Sequence, residues 1–241
     1  GKVWLTEKQD QARKDAAKGT EVKEESQWNT FFGAKLNKVE SVHFRFESPY
    51  PVPELLEYAL AAETCYAYYL ADFGNDPALG VVQGGRATFV VMQTDDQWNK
   101  FVDSYSSNDK EFTRQLSGTG DGNLLHGIRS NKGSTPAQRK DHIVHQTAHM
   151  LNRYVWSIRG RHAWVDEGLA YYYTLKVLEA AGLPPGVINF LPGDAEQISN
   201  LLVDSPELAG VHFTGSTAVF NNLWKRVGAN MGKYRSYPRL V

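Results

Sequence analysis

Two histidines four residues apart are the first residues whose types and spacing could do chemistry. His145 and His149 fall in a stretch flanked by apolar residues (Ile143, Val144, Met150, Leu151) that predicts a helix. On a helix, positions i and i+4 share a face, so both imidazoles point the same way. Two neutral ring nitrogens so placed can reach one metal ion at about 2.0–2.1 Å. A bare pair in a chain with 7 His is as readily structural. Its surroundings add weight, because two imidazoles on a largely apolar helix need partners. After a short basic loop, WVDEGLA sets Glu167 in the first turn of a second predicted helix. An antiparallel return would bring that carboxylate beside both rings. Two imidazoles and one carboxylate leave a position open for water, the arrangement of a catalytic Zn2+ rather than a closed structural one. The same donor set also suits Fe(II).

His145-Gln146-Thr147-Ala148-His149 followed by Trp164-x-x-Glu167-Gly168-Leu169-Ala170 resembles the gluzincin metallopeptidases, closest to their peptidase-MA-like and aminopeptidase-like branches. Their pattern is H-E-x-x-H, then about 18 residues, then E-G-[LF]-A. The resemblance implies an α/β (α+β) zincin-like domain with a small mixed sheet, a zinc-binding helix and a helical C-terminal portion. It also implies Zn2+ held by His145, His149 and Glu167, and a peptide or protein substrate cleaved by metal-bound water. One departure is decisive. Gln146 stands where the family has the Glu that activates this water, and an amide cannot accept the proton. Losing such a base costs on the order of 10²–10⁴ in rate. Two readings stay open: a natural pseudopeptidase serving as a peptide- or protein-binding module, or an engineered inactive Glu-to-Gln variant. His142, one turn earlier, is the replacement base to consider. Asp166 is the candidate to support a ligand histidine, against a plain role at the helix N-terminus. Tyr171, and further on His212 and Tyr234, are candidates for holding the oxyanion. Members of such families pair extended substrate with an edge strand, and NLLHGIR (123–129) is the candidate here, through Leu124, Leu125, His126 and Gly127.

The elements that must position these residues can be read from periodicity. Residues 1–38 are charged with both signs mixed and carry a few aromatic anchors (Trp4, Trp28, Phe31, Phe32), which predicts a helix or arm ahead of a domain spanning 39–241. Ser41–Glu47 alternates, with Val42, Phe44 and Phe46 on one face, and predicts a half-buried strand. Glu54–Phe73 has helical spacing, ended by Gly74. RATFVVMQ, entered through Gly84, predicts a strand. The T-x-x-Q boxes Thr94–Gln97 and Thr135–Gln138 predict two helix starts, the second with Pro136 in first place and an end before Gly160. Residues 103–122 read as a loop, with GTGDGN a turn, and His162 reads as a loop residue. The second motif helix should run from Trp164 to Ala181, stopped by Gly182, Pro184 and Pro185. One or two further helices are expected, around Asp194–Val203 and Thr217–Val227.

Composition sets the remaining bounds. The 241 residues carry a net charge of −1, so nothing global calls for nucleic acid. The single Cys, Cys65, excludes an intramolecular disulfide and a cysteine-built metal site. No apolar run reaches the roughly 18 residues of a membrane span. The chain opens on Gly1 rather than Met, and peptidases of this kind are often exported, so an extracytoplasmic or secreted protein is expected.

Overall fold

The computed structural model describes residues 5–74, 85–106, 109–120, 124–130, 132–156, 163–184, 186–189, 191, 193–213 and 215–241, with backbone only at 153–156 and 163–164. Trp4, Gly84, Asn123, Gly160, His162, Pro185 and the side chain of Trp164 lie outside this description. Residues 1–188 and 189–241 form two compact units. The expected cut after residue 38 does not coincide with that division.

Along the first unit run α1 (Glu7–Ala16), β1 (Thr20–Glu21), α2 (Trp28–Phe32), β2 (Asn37–Glu40), β3 (Phe44–Ser48), α3 (Val52–Phe73), β4 (Ala87–Met92), α4 (Asp95–Tyr105), α5 (Lys110–Gln115), β5 (Gly118–Gly120), β6 (Leu125–Arg129), α6 (Pro136–Trp156) and α7 (Ala163–Ala180). The strands form one mixed six-stranded sheet in the order β1-β2-β3-β4-β6-β5. The β3–β4 and β4–β6 pairs are parallel and the rest antiparallel. This is the small mixed sheet with helices that the sequence predicts.

Strand β4 shows why the sheet is covered on both faces. Ala87, Phe89 and Val91 point into a core shared with α3, α6 and α7, where Phe44, Phe46, Tyr58, Cys65, Tyr69, Leu151 and Tyr173 are buried. Val90 and Met92 point the other way, into Trp28, Leu36, Trp98, Phe101 and Val102. The unbroken apolar run Phe89–Met92 is the pattern of a strand buried on both faces. Along α3, the small side chains Ala59, Ala62 and Cys65 recur at helical spacing and are wholly buried. Burial also pushes the Cys65 thiol pKa up, which leaves it inert. Both helix starts are capped: Gln97 N donates to Thr94 Oγ1 at 3.2 Å and Gln138 N to Thr135 Oγ1 at 3.3 Å, and the second box closes with Thr135 N donating to Gln138 Oε1 at 2.9 Å, whereas Gln97 Oε1 accepts from Gln93 N.

Several expectations are corrected. Residues 20–40 are not a detached arm, because β1 and β2 extend the sheet and Trp28 anchors its second core. Val42 precedes the strand and is 56% exposed. Glu47, expected on a polar face, is buried because α2 covers that side, and it accepts a hydrogen bond from Ser26 Oγ. Residues 103–122 hold α5 and β5 instead of a loop. The NLLHGIR strand is not an edge either. β6 is paired on both sides, by β4 and β5, and β5 takes the edge.

In the second unit, α8 (Ala195–Val203) and α9 (Thr217–Ala229) fall where expected. They are joined by a two-stranded parallel pair, β7 (Gly210–Val211) and β8 (Arg239–Leu240). Asp194 caps α8 and Ser216 caps α9. The core is small: Val203, Leu223 and Val227, backed by Leu208, Val211, Phe213, Tyr234 and Leu240.

Candidate functional site

Helices α6 and α7 form a hairpin that brings His145, His149 and Glu167 together, with one ligand-type atom from each lying within 4.8 Å of the others. The two Nε2 atoms are 3.0 Å apart. Glu167 Oε2 lies 3.4 Å from His145 Nε2, and its Oε1 lies 3.5 Å from His149 Nε2. Two imidazole nitrogens this close need a shared proton or a cation between them. The set opens outward, since the Glu167 side chain is 55% exposed while those of His145 and His149 are 16% and 9%.

Asp166 sits behind His149, with Oδ1 2.9 Å from Nδ1, as an ion pair rather than an aligned hydrogen bond. Asn152 holds Asp166 through its Nδ2, which donates to Asp166 Oδ1 at 2.8 Å, and Tyr69 Oη donates to Asn152 Oδ1 at 2.9 Å. Burial alone would lower the His149 pKa, but the Asp166 and Glu167 carboxylates outweigh it and push it up to about 9. Bonds from His145 and His149 hold the Glu167 carboxyl well below the usual carboxylate range. Burial pushes the His142 pKa down, and its Nε2 faces the Ser117 carbonyl at 3.4 Å.

Gln146 is turned toward the sheet. His126 Nε2 lies 2.9 Å from its Oε1, and its Nε2 donates to Ser117 Oγ at 3.4 Å. A Cβ at Gly118 would overlap this amide, so the glycine in β5 is what lets Gln146 lie there. Tyr171 is 57% exposed and its ring stands 4.9 Å from that of His145. His126, a candidate for contact with substrate, is 2% exposed. Gly127 packs under Phe101, and Leu124 turns into β6 with a left-handed φ of 58°. His126 and Gly127 cannot pair with an extended peptide on that side, because Gly120 and Thr119 of β5 already pair with them. His212 and Tyr234 lie in the second unit, where Tyr234 Oη donates to the Val203 carbonyl at 2.7 Å.

The second unit holds a feature the sequence reading missed. Gly215 stands directly ahead of α9, shortly after the strand β7, and the helix cap Ser216 accepts from Val219 N at 3.4 Å. Gly215, Ser216, Thr217 and Ala218 are exposed, so the start of this helix is open. A Cβ on Gly215 would overlap the Phe213 ring. The available signal was a Gly-Ser pair directly ahead of a helix, the setting in which backbone N–H groups meet phosphate.

The aldehyde dehydrogenase family matches residues 166–236. Over 75 residues the chain is 49% identical to a protein of Schizosaccharomyces pombe named probable delta-1-pyrroline-5-carboxylate dehydrogenase, covering 30% of this chain and 14% of that one. Over 73 residues it is 43% identical to the mitochondrial delta-1-pyrroline-5-carboxylate dehydrogenase of Rattus norvegicus, covering 30% and 13%. A solved structure of the Mycobacterium tuberculosis enzyme, described as bound with NAD and cobalamin, is 57% identical over 32% of this chain and 14% of its own, with a TM-score of 0.30. The chain thus spans about one seventh of the length of the curated relatives it matches.

These matches overturn the gluzincin reading. The second half of its motif, from Asp166 through Glu167-Gly168-Leu169-Ala170, lies inside the stretch that matches the dehydrogenase family. The zinc peptidase, the pseudopeptidase and the hydrolase class fall with it, and so does the zincin-like label on the fold. The Zn2+ expectation gives way because the curated relatives that match are named as dehydrogenases. The expectation of export gives way to relatives named as mitochondrial proteins. Among the described residues, no helix is long and apolar enough to cross a membrane.

Proposed function

We propose that residues 166–236 are a nucleotide-handling portion of an NAD-linked aldehyde dehydrogenase acting on Δ1-pyrroline-5-carboxylate or its open-chain aldehyde. The observation that carries this reading is the family match over that stretch, with 49% identity to the S. pombe relative. NAD+, if bound, would supply the hydride acceptor that oxidation of an aldehyde to a carboxylate needs, and residues at the start of α9 would hold its phosphate. The open N-terminus of α9, with Gly215 and the Ser216 hydroxyl beside it, matches the chemistry of a phosphate group. Gly215 keeps the loop close to Phe213, and the exposed first turn can present its N–H groups to an anion. Calorimetric titration of the chain with NAD tests this. The expected result is binding that Gly215→Asp abolishes, by placing a negative charge against the phosphates. The absence of binding heat, or unchanged binding by the variant, would overturn the reading.

A second reading concerns the first unit, and one observation favours it: the convergence of His145, His149 and Glu167 within 4.8 Å. These three residues suit a divalent first-row metal ion, with Asp166 and Asn152 orienting His149. Cobalt(II) titration followed by visible absorption should show one ion bound by the parent and none by the His145→Ala, His149→Ala double variant. Equal uptake by both would remove this reading.

A further inference from the structure

A cleft of about 660 Å³ opens in the first unit, between the connection from β1 to α2 and the connection from α2 to β2. The only buried charge in its lining is Lys38, which is 8% exposed. Successive residues of a strand face opposite ways, so Lys38 stands on the side of β2 away from Val39, which is in the core shared with α3. The stem of Lys38 is covered, while its Nζ keeps contact with the space of the cleft. Glu47 is its neighbour across the strand pair, but that carboxylate accepts from Ser26 Oγ. Among the described residues no carboxylate or other acceptor pairs with the Lys38 ammonium. A mostly buried cation without a counter-charge is costly, so it points to an anion that arrives from outside. Asn29 offers a second donor in the same lining. Its Oδ1 accepts from Leu36 N at 2.8 Å, which fixes the amide, and its Nδ2 has no partner among the described residues.

The rim has the opposite character. Glu21, Glu24 and Glu25 line it, exposed and without an ion-pair partner among the described residues. Lys23 and Lys35 stand beside them. Three carboxylates against two ammoniums leave the rim negative by one charge, over a positive interior.

We propose that this cleft binds a small aminocarboxylate zwitterion, its carboxylate at Lys38 and Asn29 and its ammonium among the rim glutamates. A ligand of one sign fits less well. A phosphate or dicarboxylate would meet the rim carboxylates, and a plain amine would leave Lys38 without a counter-charge. These residues lie outside the stretch that matches the dehydrogenase family, so the inference does not rest on the nucleotide reading.

The test is calorimetric titration of the full chain with 6-aminohexanoate, hexanoate and hexylamine. The zwitterion should bind, and the two analogues, each lacking one charge, should bind at least about tenfold more weakly. Lys38→Met should weaken 6-aminohexanoate at least about tenfold. It should not lower the melting temperature of the ligand-free protein, since it replaces a buried charge that has no partner. The triple variant Glu21→Gln, Glu24→Gln, Glu25→Gln should weaken 6-aminohexanoate without weakening hexanoate. No binding of 6-aminohexanoate, equal affinity for either analogue, a lowered melting temperature in Lys38→Met, or unaltered affinity in both variants would overturn the proposal.

Discussion

Glu54 and Arg139 join α3 to α6 through a two-pronged contact, Nε to Oε1 at 2.7 Å and Nη2 to Oε2 at 3.0 Å. Burial raises the Glu54 pKa, but bonds from Arg139 and Tyr58 outweigh it and the net shift is downward. A depressed folded pKa means the contribution is present above the unfolded carboxylate range and is lost as pH falls through the folded value. Glu54→Gln should therefore lower the melting temperature at neutral pH and flatten its fall in acid. A variant that follows the parent's pH profile would contradict this. Lys176 makes a second such link, its Nζ 2.7 Å from Asp72 Oδ2, with Tyr173 Oη donating to the same oxygen at 3.0 Å. Lys176→Met leaves a mostly buried carboxylate without its cation and should cost about 3 kcal/mol in denaturant unfolding. The approach of His145, His149 and Glu167 was legible in the sequence, because i, i+4 geometry and a short helical hairpin are local rules. The contact of Gln146 with His126 was not. It depends on Gly118, a residue on a strand the sequence does not announce.

Elements announced by capping chemistry were legible, and elements held only by their neighbours were not. Thr94–Gln97, Thr135–Gln138 and Asp194 each mark a helix start that the structure contains. Strand β5 is three residues, Gly-Thr-Gly, with no apolar alternation, and its pairing with β6 is what defines it. The mistaken edge follows directly: without β5, β6 looks open on one side. Gly127 gives a test of the inner position. A Cβ there would overlap Phe101 on α4, so Gly127→Ala should destabilise the protein by about 1–3 kcal/mol. A neutral effect would mean that β6 and α4 do not pack as described.

At the scale of the whole molecule, composition is uniform enough to hide a division into two units, and a short motif led the reading to the wrong family. The motif's second half fell within a stretch whose likeness to dehydrogenases extends over about seventy residues, information that no local spacing holds. The units also differ in how well they are packed. The second has three buried apolar residues in its core, and leaves Leu201 76%, Trp224 57% and Tyr237 85% exposed. Hydrogen exchange should accordingly open α8 and α9 well before α3 and α6. Equal protection in both units would contradict that account. The same experiment, repeated with saturating NAD, tests the central claim most directly. The account predicts new protection confined to β7, the following loop and the first turns of α9, residues 210–220. Unchanged exchange there, or protection only within residues 1–165, would contradict it.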